Sequence, residues 1–185
     1  MPRVLLLDIE TAPAIAYVWK LFDENISIEQ LIQPGRIICW GAKWLGERKV
    51  HYADERSGVK PMFRGIHALM SGADALVTFN GAHFDLPKLD GAFVEHGLGP
   101  VPPVAHIDLY QTVKKLGYQS GKLAFVAPLL KIGQKVKHEG FSLWRSCLDG
   151  DRKAWARMEK YNKQDVRLLD PLYQRLRPYI RNHPY

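Results

Sequence analysis

Near its start the chain carries Val4-Leu5-Leu6-Leu7, a wholly apolar run that stops abruptly on Asp8. A run this short reads as a strand covered on both faces, the setting of a central strand in a sheet flanked by helices. Such a strand delivers the residues at its tip to the sheet's edge, and here those are Asp8-Ile9-Glu10-Thr11. Residues two apart on a strand face the same way. Asp8 and Glu10 therefore converge on one point while Ile9 turns into the core. Converging carboxylates repel unless a cation lies between them, and hard oxygen donors suit Mg²⁺ or Mn²⁺. The pair would equally be explained as exposed polar residues where a strand stops, with Thr11 capping a turn.

The rest of the chain repeats the strand-then-helix theme. Arg36 to Leu45 predicts a second strand, Gly46-Glu47 a turn, and Lys49 to Ala53 a hairpin partner. Met62, Phe63, Ile66, Leu69 and Met70 stand at helical spacing, so Pro61 to Met70 predicts a helix ended by Gly72. Ala75 to Phe79 is a short strand closed by Asn80-Gly81. Leu86 to Glu95 reads as a helix, Gly97 to Pro103 as a loop, and Val104 to Leu109 as a fifth strand. Helices are predicted over Leu123–Lys131, Ser142–Cys147, Arg152–Met158 and Glu159–Arg177. This order is α/β with a mixed sheet, because a hairpin sits among βα crossovers. With 185 residues and no repeat or linker, a single domain over 1–185 is expected.

Charge narrows the partners. There are 26 Lys and Arg against 19 Asp and Glu, a net +7, which favours a polyanion such as nucleic acid. From Leu109 to His138 there is no acid at all, while Lys114, Lys115, Lys122, Lys131, Lys135 and Lys137 fall there. That stretch reads as a phosphate-facing surface, although each lysine alone is explained by a solvated face. Only Cys39 and Cys147 are present, neither a disulfide framework nor a zinc pattern. This fits the reducing cytoplasm, that of a host cell if the chain is virus-encoded. No apolar run is long enough for a signal peptide or a membrane span.

Two further acids stand in suggestive places. Asp85 comes after the Asn80-Gly81 turn and would also serve as N-cap of the helix carrying Pro87. Asp165 lies four residues after Tyr161, which stacks phenol and carboxylate on one helical face. A surface ion pair would explain Asp165 as well. Asp8-Ile9-Glu10-Thr11, then Asn80-x-x-x-Phe84-Asp85, then Tyr161-x-x-x-Asp165 resemble, in order, the three exonuclease motifs of the DEDD superfamily. The proofreading exonuclease domains of family-B-like DNA polymerases, and related stand-alone nucleases, are most similar. The resemblance spans residue 4 to about residue 170. Tyr161, with Lys160 before it, resembles the tyrosine branch, DEDDy.

The resemblance implies a ribonuclease-H-like fold with a mixed five-stranded sheet flanked by helices. It implies a 3′-5′ exonuclease using two divalent cations, Mg²⁺ or Mn²⁺, with Asp8, Glu10, Asp85 and Asp165 as metal ligands. Asp8 would bridge both ions, Glu10 and Asp165 would hold the one that binds the attacking water, and Asp85 would serve the second. Tyr161 would orient that water. A phenol with pKa near 10 is a poor base at neutral pH, so positioning is the better role. Thr11 and Asn80 would lie near the substrate and Phe84 would pack nearby. Trp19 is the expected stacking surface for a base, and Lys122 and Lys135 the expected phosphate contacts. Trp40, Trp44, Trp144 and Trp155 are expected in the core, Asp108 as a cap or in an ion pair, and His83 and His106 without chemistry.

Family analogy leans to single-stranded DNA or frayed 3′ ends over RNA. The 185 residues leave no room for a polymerase domain, so a proofreading role would need a polymerase or replication protein in trans. The competing readings are a binding module without catalysis, an exoribonuclease, and a phosphohydrolase of small nucleotides. The complete acid set and Tyr161 argue against the first, and the acid-free lysine stretch argues against the last.

Overall fold

The computed structural model describes residues 2–181, 183 and 184; Met1, Asn182 and Tyr185, at the ends of the expected domain, lie outside the described residues. The strands among the described residues are β1 (Val4–Ala12), β2 (Ile15–Ala16), β3 (Leu31–Gln33), β4 (Arg36–Trp44), β5 (His51–Asp54), β6 (Ala75–Thr78) and β7 (Ala105–Asp108). The helices are α1 (Val59–Ser71), α2 (Asp85–Glu95), α3 (Leu109–Val113), α4 (Leu123–Leu129), α5 (Phe141–Leu148) and α6 (Arg152–Leu176). The main sheet runs β5-β4-β1-β6-β7, with β2 and β3 forming a separate ribbon. β4 is antiparallel to both β1 and β5, while β1, β6 and β7 are parallel. This is the expected ribonuclease-H-like mixed sheet.

The alternation along β1 decides where chemistry sits. Leu5, Leu7 and Ile9 belong to a core shared with Met62, Phe63 and Ile66 of α1 and Leu89 and Phe93 of α2. Val4 and Leu6 belong to the opposite core, with Leu168, Leu169 and Leu172 of α6. Asp8 and Glu10 share the parity of Val4 and Leu6, so the strand presents them to the α6 face. A third core, built from Ile38, Cys39, Leu143, Trp155 and Met158, seats α5 and the start of α6 on β4.

Several boundaries differ from the sequence-based expectation. β1 does not stop at Leu7, because β4 pairs with it as far as Ala12. The two helices expected on either side of Met158 and Glu159 are one helix of 25 residues. No breaker stands at that junction, and the buried face runs unbroken through Trp155, Met158, Tyr161 and Asn162. The β2–β3 ribbon and α3 were not expected; both are short, and short elements leave little periodicity to read. Of the tryptophans expected inside, Trp40, Trp44 and Trp155 are buried and Trp144 is half-buried. Among the described residues no helix is long and apolar enough to cross a membrane.

Candidate active site

Asp8, Glu10 and Asp165 each offer a carboxylate oxygen, and these oxygens lie within 4.8 Å of one another. The strand supplies two of them and α6 the third. The β1–β4 register slips by one residue between Glu10 and Thr11. Irregularities of this kind bend a strand and re-aim side chains, and this one falls directly after the second acid.

α6 contributes more than Asp165. Tyr161 and Asp165 lie a turn apart on its buried face, 7% and 4% exposed. Between them sits Asn162, wholly buried, whose Nδ2 donates to Asp8 Oδ2 at 2.8 Å and to the Asp8 carbonyl at 3.3 Å. Gly41 of β4, which pairs with Asp8, makes room for this contact. A Cβ there would stand 2.4 Å from Asn162 Oδ1. Neither residue was anticipated, though both left a trace: a polar residue on the apolar face of a helix, and a glycine inside a strand, which often marks close approach.

Asp85 is held differently. It opens α2 as its first helical residue, with Phe84 as the N-cap, so the expected capping role does not apply. β6 pairs with β1 only as far as Leu6 and Val77. Beyond that point the Ile9 N–H is available, and it donates to Asp85 Oδ1 at 3.0 Å. Asp85 is 3% exposed. It stands beside the three-acid group, close enough to raise Asp8 and Glu10, but outside it.

Burial and mutual repulsion dominate the electrostatics. Desolvation, with the charges of Glu10, Asp85 and Asp165, pushes the Asp8 carboxyl well above the ordinary range. Glu10 is pushed up to about 8 by burial and by Asp165. Burial pushes Asp85 up to about 7, against the opposing Ile9 hydrogen bond. Burial also raises Asp165, opposed by Lys135. Lys135 Nζ lies 2.6 Å from Asp165 Oδ2 and donates to the Tyr161 hydroxyl at 2.9 Å. Burial alone would lower the Lys135 ammonium, but Asp165 reverses this and raises it. Asp165 is thus ion-paired, but in the interior rather than on a solvated face. The Tyr161 phenol is pushed up by burial and then by Asp165 and Glu10, which leaves even less of it ionised and available as a base at neutral pH.

The donor set fits a hard divalent cation. Asp165 Oδ1 is buried and has no hydrogen-bond partner, an expensive state for a carboxylate oxygen unless something is to bind there. Asp8, Glu10 and Asp165 would hold such an ion, with Asp85 adjoining.

Of the remaining expected residues, Asn80, Lys122 and Lys135 line one cleft and Thr11 another. One, of about 410 Å³, is lined by Asp8, Asn80, Tyr110, Lys122, Lys135 and Asp165. Asn80 takes a left-handed backbone, φ 69°, and the turn it opens is clamped by Asp108, which accepts from the Asn80, Ala82 and Tyr110 amides. Asp108 is thus a cap, as expected. His106 bonds the Thr78 hydroxyl at 2.9 Å. The second cleft, of about 470 Å³, is lined by Thr11, Arg36, Phe63, Lys88 and His96. Phe84, expected to pack, is 39% exposed with Lys88 Nζ 5.0 Å from its ring centre. Trp19 lines neither cleft and is 94% exposed on the segment joining β2 to β3.

The RNase_H_2 family, of the RNase_H superfamily, matches residues 28–177. The chain belongs to the ribonuclease H superfamily. The matched span contains Asp85, Tyr161 and Asp165 and begins after Asp8 and Glu10. Among solved structures, the family B DNA polymerase of the hyperthermophilic archaeon Pyrobaculum calidifontis superposes with a TM-score of 0.69 at 18% identity. The similarity covers 96% of this chain and 25% of the polymerase, so the chain spans a quarter of that protein's length. At this identity the likeness is one of fold. No curated protein matches the sequence significantly.

Proposed function

We propose that the chain is a metal-dependent nuclease of the DEDD type, tyrosine branch, that removes nucleotides from 3′ ends of DNA. The observation that carries this is the convergence of Asp8, Glu10 and Asp165 within 4.8 Å at the sheet tip, with Tyr161 a helical turn from Asp165 on α6. Two divalent cations, when bound, would supply water activation and neutralise charge on the leaving oxygen. The protein's part is positional. Asn162 fixes Asp8 through its side-chain amide. Tyr161 stays protonated and orients the attacking water through its hydroxyl. Lys122 and Lys135, both in the cleft with Asp8 and Asp165, receive phosphate oxygens. Asn80 shares that cleft and meets the terminal nucleotide, while the places of Thr11 and Phe84 near it rest on the resemblance alone. The acid-free lysine stretch supports a polymer substrate over a mononucleotide.

The test is product analysis. A 5′-labelled single-stranded DNA should yield a ladder shortening from its 3′ end with Mg²⁺ or Mn²⁺ present, and a matched RNA should be cut more slowly. Tight binding without cleavage at any metal concentration would defeat the catalytic reading. Release of a 5′ label as mononucleotide at the earliest times would overturn the polarity.

A further inference from the structure

The segment from Ile15 to Gln33 presents apolar side chains to solvent at a density found nowhere else among the described residues. Tyr17 is 73% exposed, Trp19 94%, Leu21 85%, Phe22 80% and Ile28 89%. Ile15, Val18, Ile26, Leu31 and Ile32 are exposed as well, and none of these residues joins any of the three cores. Solvated apolar clusters of this size mark interaction surfaces.

The backbone beneath them is organised. β2 pairs with β3, and the Tyr17 amide donates to the Gln30 carbonyl at 2.9 Å. Glu24 accepts from the Trp19 and Lys20 amides, and Gln30 Nε2 donates to both Glu24 and the Tyr17 carbonyl. The polar groups are thus turned inward on one another and the apolar ones outward. The arm leaves the sheet between Ala12 of β1 and Arg36 of β4, at the end that carries Glu10.

Charge favours one occupant. The arm holds Lys20 against Asp23, Glu24 and Glu29, a net −2, which leaves +9 on the rest of a chain of net +7. An acidic surface is poorly suited to a nucleic-acid backbone and well suited to a basic protein. Area points the same way. Tyr17, Trp19 and Phe22 alone offer about 500 Å², and with the aliphatic side chains the arm approaches the roughly 800 Å² per partner of a stable interface. We infer that the arm docks on the basic body of a second copy of this chain, each copy receiving the other's arm in a two-fold dimer. Reciprocal exchange of this kind is a common route to dimers.

The intact protein, studied by sedimentation equilibrium over a concentration series reaching the high micromolar range, is expected to dimerise. The double variant Trp19→Ser/Phe22→Ser alters only exposed side chains, so its circular dichroism should match the parent. Its dimer dissociation constant should rise by about 30-fold or more. The double variant Asp23→Lys/Glu29→Lys, which leaves the apolar surface whole, should raise the constant as well, and less so at high salt. A monomeric parent across the series overturns the inference. So does a dimer unaffected by either variant. Loss of single-stranded DNA affinity in the Trp19→Ser/Phe22→Ser variant, with the parent monomeric, would assign the arm to nucleic acid instead. None of these readouts depends on hydrolysis, so the nuclease reading stands or falls separately.

Discussion

Gly41→Ala is the smallest change that should disable the site. The new Cβ would lie 2.4 Å from Asn162 Oδ1, where ordinary contact begins near 3.4 Å. Asn162 is wholly buried, so it can yield only by moving along its own short side chain. A retreat of about 1 Å stretches the 2.8 Å bond from Nδ2 to Asp8 to about 3.8 Å, beyond hydrogen-bonding range. The strain should cost about 1–3 kcal/mol of stability. Misplacing Asp8 by a similar distance should reduce kcat/KM by about 100-fold. Urea denaturation and oligonucleotide hydrolysis measure the two effects. Adding Asn162→Ala removes the worst clash and leaves only the 3.0 Å approach to Val166 Cγ2, so the double variant should recover part of the stability lost to Gly41→Ala but not the activity. A Gly41→Ala protein with unchanged stability and activity would refute the idea that this contact fixes Asp8.

The same geometry sets other expectations. Asp165→Asn should lower hydrolysis by at least about 100-fold while far-UV circular dichroism stays unchanged. Tyr161→Phe should slow the reaction by about tenfold, in kcat more than in KM, as expected for positioning. Lys135→Met should weaken single-stranded DNA binding and reduce the slope of log affinity against log salt by about one, measured by fluorescence anisotropy. Stability should also depend on pH. Glu10 at about 8 and Asp85 at about 7 bind protons more tightly folded than unfolded. Their contribution is therefore present at low pH and lost as pH rises through 7 and 8. The metal-free protein should melt at a lower temperature at pH 8.5 than at pH 6, and Mn²⁺ should raise the melting temperature more at the higher pH.

The parts most legible in the sequence were those set by periodicity. Val4 to Leu7 announced a strand covered on both faces, and the two-residue alternation put Asp8 and Glu10 together with Ile9 opposed. The same logic placed Tyr161 and Asp165 on one face of α6. What it could not supply was the partner of each acid. Asp85 was legible as a carboxylate after a turn, but its contact with the Ile9 amide depends on where β6 stops pairing with β1. Charge alone suggested Lys135 as a phosphate contact, and its seat against Asp165 and Tyr161 comes from the path of the loop before α5. Asn162 and Gly41 depend on each other across the β4–α6 interface, so neither meant much singly. Trp19 stood out as an aromatic in an irregular stretch, yet the company of exposed side chains around it appears only in three dimensions.

Asp8, Glu10 and Asp165 are proposed to hold the cation with which this protein hydrolyses phosphodiesters. Calorimetric titration of Mn²⁺ into the intact protein and into Asp8→Asn, with DNA hydrolysis followed in the same samples, tests this claim most directly. Saturable binding and hydrolysis are expected in the parent, both abolished by EDTA and both lost together in the variant. Equal Mn²⁺ affinity and equal hydrolysis in the two proteins would contradict the claim.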